Sequence, residues 1–244
     1  MKKLIIANWK MRLNQRESLA LAKSFAAKIK PGKNLVVLAP DYLALAQVGK
    51  IIKGRMKLTS QDSAPASRGA ITGEVSPLDL KSLGVTYAIV GHSERRLQLG
   101  ESSEIVRRKA EAALLAGLAP IVCVGEARRP KSPSASWAEI SGQLKDSLSG
   151  LELKSKDRLL VAYEPAWAIS TAKGAEAMSP QLAQATQARM KAWLRRCFGR
   201  EIPVLYGGSV DAKNASGYLA QPAIDGLLVG GASLGQEFIS LCCL

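Results

Sequence analysis

The stretch Leu159-Leu160-Val161-Ala162-Tyr163-Glu164-Pro165 decides the fold class. Its apolar part is continuous rather than alternating, so as a strand it must be buried on both faces, the condition of a parallel strand covered by crossover helices. A carboxylate and a proline follow directly where the strand ends. Outward in both directions, similar short strand candidates recur at Leu4 to Ala7, Leu35 to Ala39, Met56 to Ser60, Tyr87 to Val90, Pro120 to Val124, Pro203 to Tyr206 and Gly226 to Val229. Helical patterns lie between them at Glu17 to Lys28 and Ser103 to Ala116. A third opens at Ser179-Pro180, with Leu182, Met190, Trp193, Leu194 and Cys197 as its expected core face. Arg128 to Ser136, rich in Pro, Ser and basic residues, is expected to be a mobile surface loop. Alternating strand and helix with no dividing linker leaves an open doubly wound sheet or a closed barrel. Eight strand candidates in 244 residues favour the barrel, a single α/β domain of (β/α)8 architecture over the whole chain.

Composition narrows the function classes. With 47% hydrophobic residues the chain can fill one sizeable core. Met1-Lys2-Lys3 runs into a short apolar stretch and then the polar Asn8-Trp9-Lys10, which resembles neither an export signal nor a membrane span, so the expectation is a cytoplasmic protein. Cys123, Cys197, Cys242 and Cys243 lack zinc-ligand spacing and accompany a single histidine, so four free thiols and no metal are expected, with Cys242 and Cys243 as partly buried packing residues. The net charge of +14 suits attraction of an anionic substrate or binding of nucleic acid. The basic runs Arg107-Arg108-Lys109, Arg128-Arg129 and Arg195-Arg196 are short, scattered and not interleaved with aromatics, so they read as a solvated surface rather than a nucleic-acid platform. If the charge steers a dianionic substrate, the second-order rate falls as ionic strength rises.

A barrel of this kind works at the C-terminal ends of its strands. Asn8 and Lys10 follow the first strand, Gln61 the third, His92 and Glu94 the fourth, Glu126 the fifth and Glu164 the sixth. His92 stands at a strand-to-helix junction, where backbone N–H groups favour a neutral ring; a structural cap and a catalytic donor are both open readings. Desolvation at the end of an apolar strand makes a carboxylate such as Glu164 a better proton acceptor, although a lone glutamate there is commonly a loop charge. Tyr206-Gly207-Gly208-Ser209-Val210 and Leu228-Val229-Gly230-Gly231-Ala232-Ser233 expose glycine backbone after the last two strands, a recurrent phosphate site in barrels. Together these residues suggest proton transfer on a phosphorylated carbonyl compound, without a cofactor.

At these residues the chain resembles the triosephosphate isomerase family, from Asn8 to Leu234. The resemblance rests on Asn8-Trp9-Lys10-Met11, Gly69-Ala70-Ile71-Thr72-Gly73-Glu74, Gly91-His92-Ser93-Glu94-Arg95-Arg96, Cys123-Val124-Gly125-Glu126, Tyr163-Glu164-Pro165-Ala166-Trp167-Ala168-Ile169 and Tyr206-Gly207-Gly208-Ser209-Val210. It implies that Glu164 removes a proton beside the substrate carbonyl while neutral His92 polarises that carbonyl, the pair of roles known for this family. It further implies that Lys10 stabilises the enediolate, that Asn8 and Glu94 support Lys10, and that Ser170, Ser209, Gly230 and Gly231 hold phosphate. The expected lid is Pro165, Ala166, Trp167, Ala168, Ile169, Ser170, Thr171, Ala172, Lys173, Gly174 and Ala175. The resemblance also implies a homodimer in which Asp62 to Glu74 enters the partner and Thr72 reaches toward its active site.

The lid departs from the family pattern, which typically has glycine at the places of Ser170 and Ala172, and Gly174 is unusual too. A Cβ at a left-handed position costs roughly 1 to 2 kcal/mol. Because the lid excludes water and holds the intermediate, reduced turnover and more phosphate elimination are expected. Restoring both glycines should raise the rate; an unchanged rate discards this expectation.

Overall fold

The computed structural model describes residues 2–30, 32, 34–169 and 177–244. Eight strands follow one another around the molecule: β1 (Leu4–Asn8), β2 (Leu35–Ala39), β3 (Lys57–Ser60), β4 (Tyr87–Val90), β5 (Ala119–Val124), β6 (Leu160–Tyr163), β7 (Val204–Tyr206) and β8 (Gly226–Val229). All neighbours pair in parallel, and Leu4 opposite Gly226 through Ala7 opposite Val229 joins β1 to β8 and closes the barrel. Helices α1 (Gln15–Lys28), α2 (Tyr42–Ile52), α3 (Pro77–Ser82), α4 (Ser93–Gln98), α5 (Ser103–Leu115), α6 (Pro133–Leu148), α7 (Pro180–Phe198), α8 (Ala215–Leu219) and α9 (Glu237–Cys242) cover the outside. The (β/α)8 expectation therefore holds, and strand ends differ from the sequence reading by a residue at most.

The continuous apolar runs have a direct cause. Alternate residues such as Leu4, Ile6, Val37, Ile89, Ile121, Ala162 and Leu205 form one cluster inside the barrel. Their neighbours Ile5, Leu38, Val90, Val122, Val161 and Val229 join a second cluster with the helix residues Phe25, Leu45, Val106, Leu144 and Leu194. Each strand thus buries both faces, and no polar face is left to alternate.

Side-chain caps set the helix starts. Asn14 Oδ1 accepts from the Glu17 amide at 3.0 Å while Glu17 Oε2 accepts from the Asn14 amide at 2.9 Å, so α1 begins at Gln15, ahead of the expected Glu17. Such a cap is worth about 1 kcal/mol. Arg128 to Ser136 is only partly a loop: Ser132 Oγ accepts from the Ala135 amide and Pro133 occupies the first turn of α6, so residues 133 to 136 are helix. The expected core face of α7 also needs correction. Met190 and Leu194 are buried and Trp193 packs at the edge, but Leu182 lies beside the buried row Ala183, Gln187, Met190 and Leu194 and is exposed. Cys197 is exposed as well, because in the last turn Phe198 takes the core-facing place. All four cysteines are free thiols. Cys242 packs inward from α9 with Phe238 and Leu241, while Cys243, just past the helix end, is exposed.

Candidate active site

The strand ends bring Asn8, Lys10, His92, Glu164, Gly230 and Gly231 to one pocket at the C-terminal mouth of the barrel. Asn8 ends β1 and is buried; its Oδ1 accepts the Lys10 amide at 3.2 Å. Lys10 has φ 53°, the one left-handed non-glycine backbone among the described residues. Its Nζ meets Glu94 Oε1 at 2.5 Å, a charge-assisted bond that points the lysine along the pocket wall.

His92 caps α4. The Glu94 amide donates to His92 Nδ1 at 3.2 Å, so Nδ1 is an acceptor and the neutral ring carries its proton on Nε2. The cap uses Nδ1 and leaves Nε2 toward the pocket, so the two readings left open in the sequence are compatible in one ring. Nε2 stands 3.2 Å from Glu164 Oε1. Half-buried Arg96 fixes this corner: its Nε donates to the Gly91 carbonyl at 2.9 Å, and its Nη2 reaches the Cys123 carbonyl at 3.2 Å and Ser147 Oγ at 3.0 Å, tying the start of α4 to β5 and α6.

Glu164 follows β6 directly and is 2% exposed. The Ser93 amide donates to its Oε2 at 2.9 Å, which leaves Oε1 toward the histidine. Space for this side chain comes from Gly207, where a Cβ would stand 2.8 Å from Glu164 Cγ. Gly125 lets β5 and β6 part closely, since a Cβ there would stand 2.0 Å from the Glu164 carbonyl oxygen. Gly208 and Val210 complete the β7 side of the pocket, and the Ser209 amide donates to the Ala168 carbonyl at 3.0 Å. Ser233 Oγ bonds the Gly230 carbonyl at 2.6 Å and fastens the β8 turn.

Of the expected lid, Pro165 precedes a single 3-10 turn, Ala166–Ala168, and Ile169 reaches the pocket. Ser170, Thr171, Ala172, Lys173, Gly174 and Ala175 lie outside the described residues. Thr72 sits exposed in a turn closed by the Glu74 amide on the Ile71 carbonyl. Glu126, also at a strand end, is not in this pocket: it is buried and accepts from Tyr163 Oη at 3.0 Å and from Ser136 Oγ. One contributor was missed in the sequence and another was noted without its partner. The Ser93 amide is backbone and leaves no residue-type signal, whereas Gln61, noted as a polar strand end, proves to bond the Lys10 carbonyl. Among the described residues no group of three or more His, Cys, Asp or Glu is arranged to hold a metal ion, and no helix is long and apolar enough to cross a membrane.

Comparison with known proteins agrees with this geometry. A family model described as triosephosphate isomerase matches residues 3–243. The triosephosphate isomerase of Thermoanaerobacter pseudethanolicus is 39% identical over 236 residues, covering 95% of this chain and 94% of that one. That of Dehalococcoides mccartyi is 40% identical over 254 residues, covering 99% and 96%; that of Fusobacterium nucleatum is 38% identical over 244 residues, covering 97% and 96%. A match of this extent, over a closed barrel with this mouth, means that the chain belongs to the triosephosphate isomerase family.

Proposed function

We propose that the chain interconverts D-glyceraldehyde 3-phosphate and dihydroxyacetone phosphate through an enediolate, with Glu164 as the base and neutral His92 as the electrophile. The observation that carries this reading is the 3.2 Å approach of His92 Nε2 to Glu164 Oε1 in a pocket that Lys10 also lines. A substrate that enters the pocket breaks this contact and meets both a desolvated carboxylate and an N–H donor, the pairing needed to take a proton from carbon while the adjacent oxygen gains charge. The Ser93 amide holds Oε2, so Oε1 is the oxygen that takes the proton. Lys10 adds positive charge beside the developing enediolate, and Asn8 and Glu94 hold it there. Gly230 and Gly231 are assigned to the phosphate, whose charge suits N–H groups at a glycine turn, and Ser209 joins them through its hydroxyl, because its amide is given to the Ala168 carbonyl; Ser170, assigned with them, lies outside the described residues.

The working form in this proposal is a cytoplasmic homodimer. Met11 is 94% exposed and Leu43 82% exposed, and Ile71, Leu97 and Leu99 are exposed too. All five lie after β1, β2, β3 or β4, so the apolar surface collects on one side of the mouth, next to Thr72. A second copy would cover it and place Thr72 near the partner's pocket.

The test is interconversion of the two triose phosphates by purified protein beside Glu164→Gln. Activity in the wild type with a loss of about a thousandfold in the variant is the expected result. A folded, dimeric wild type without activity rejects the proposal, and an active Glu164→Gln rejects the assigned base.

A further inference from the structure

We propose that Gln61 is a positioning residue for Lys10: its carboxamide holds the Lys10 carbonyl and so keeps the lysine backbone in the left-handed turn that aims Nζ into the pocket. This rests on the isomerase reading and adds to it a residue that reading does not use.

A left-handed non-glycine backbone is unfavourable and persists only where its surroundings over-determine it. At Lys10 the restraints are on the page. On one side the Lys10 amide donates to Asn8 Oδ1 at 3.2 Å. On the other, Gln61 Nε2 donates to the Lys10 carbonyl at 2.9 Å and to the Ala39 carbonyl at 2.9 Å. A carboxamide nitrogen has two hydrogens, and the two carbonyls use both. Gln61, at the exit of β3, thereby spans the exits of β2 and β1, which Trp9 also links by donating its amide to the Ala39 carbonyl at 3.2 Å. Glutamate in its ionised form and methionine offer no donor here, and asparagine is one methylene shorter.

The far end of the lysine is held at Glu94. The two holders are joined to each other by their neighbours: Asp62, next to Gln61, meets Arg95, next to Glu94, at 2.9 Å. Buried Lys109 reaches Asp62 at 2.6 Å and also binds Glu101, which Arg95 contacts at 2.7 Å. The carbonyl clamp and the Nζ clamp therefore stand on segments locked by one ion cluster built on buried Asp62 and Lys109. Lys10 is held at both ends of the residue, by parts joined through that cluster.

A double-mutant cycle on the purified dimer tests this, with kcat and KM measured for wild type, Gln61→Met, Lys10→Met and the pair. Gln61→Met should lower kcat/KM by about ten- to hundredfold with the dimer still folded, because a misaimed ammonium weakens both substrate binding and intermediate stabilisation. In the Lys10→Met background the same substitution should cost less than about twofold, since its target is gone. Equal losses in both backgrounds would mean a general structural role and overturn the inference, as would full activity in Gln61→Met. Should Gln61→Met not give a folded dimer, Gln61→Glu, which keeps the side-chain volume, goes through the same cycle under the same criterion. An inactive wild type sinks the isomerase reading and this inference with it; an active wild type, a collapsed Lys10→Met and additive Gln61 losses sink this inference alone.

Discussion

From β1 to β4 the barrel mouth presents charged side chains pinned by other side chains, whereas from β5 to β8 the pocket is lined by one carboxylate, Glu164, among glycine turns and apolar side chains, with Glu126 buried outside it. Lys10 is fixed by Asn8, Gln61 and Glu94, and the segments behind it are locked by Asp62, Arg95, Glu101 and Lys109. Opposite, Glu164 is placed by an amide at Ser93 and by the room left at Gly207, and the turns after β7 and β8 offer glycine. The division makes chemical sense. In the proposed reaction the ammonium must stay put and is held by many bonds, while the proposed base is held by one amide and fitted against glycine.

The largest way to break this division is Lys10→Met. It removes the only ammonium lining the pocket among the described residues, and kcat/KM for the triose phosphates should fall by about 100- to 1,000-fold. A variant within threefold of wild type would show that the elaborate hold on this side chain serves something other than the reaction.

Next in size is the proposed dependence of the first half on a second copy. Leu43→Glu puts a charge in the exposed apolar face and should yield a folded monomer by sedimentation, with kcat down by about tenfold or more and recovering as protein concentration drives reassociation. A fully active monomer would detach the apolar face from catalysis.

On the other half, Gly207→Ala places a Cβ where Glu164 Cγ stands 2.8 Å away, so the carboxylate must shift. A displaced base slows the proton transfer while the phosphate contacts persist; kcat should drop by about tenfold with KM little changed. A raised KM at constant kcat would reassign Gly207 to substrate binding.

The contrast also explains what was legible in the sequence. Barrel strands bury both faces, so Leu159 to Tyr163 and its counterparts stand out as apolar runs, and the polar residues that end them mark the mouth. His92, Glu164 and Lys10 stand out because each follows such a run, but their separate roles come from the family resemblance. The supports were less visible. Ser93 acts through its amide, which any residue possesses. Gln61 was visible as a polar strand end, but its target is a carbonyl oriented by the left-handed Lys10, a conformation that no residue type announces. Asp62, Arg95, Glu101 and Lys109 come together only after β3, α4 and α5 pack. Helix surfaces misled for a related reason: Leu182 fits a helical period yet lies beside the buried row, because the period specifies a stripe and not its exact edge.

The smallest predicted effect probes the cluster beneath the first half. Burial raises the Asp62 carboxyl to about 6, against the opposing pull of Lys109. For Glu101 burial acts in the same upward direction, but hydrogen bonds from Arg95 and Lys109 outweigh it and hold the carboxyl below its usual value. Two carboxylates share the same cations with opposite outcomes, so a proton entering the cluster goes to Asp62. Between about pH 4 and 6 the folded chain binds that proton more tightly than the unfolded chain does, and the Asp62 contribution to stability falls as pH rises through this window. Glu101 contributes in the opposite sense, with stability lost only as pH falls below the ordinary carboxylate range. In Asp62→Asn the side chain is neutral throughout, while Glu101 still faces Lys109 and Arg95. The stability of the variant relative to wild type should therefore rise from pH 4 to pH 6 and level off above it, by at most about 3 kcal/mol. Urea unfolding at matched pH values reads this difference directly. A relative stability that falls over the same window would mean that Lys109 and Arg95 stabilise the Asp62 anion more than burial penalises it, and that both carboxylates of the cluster are ordinary ion-pair partners.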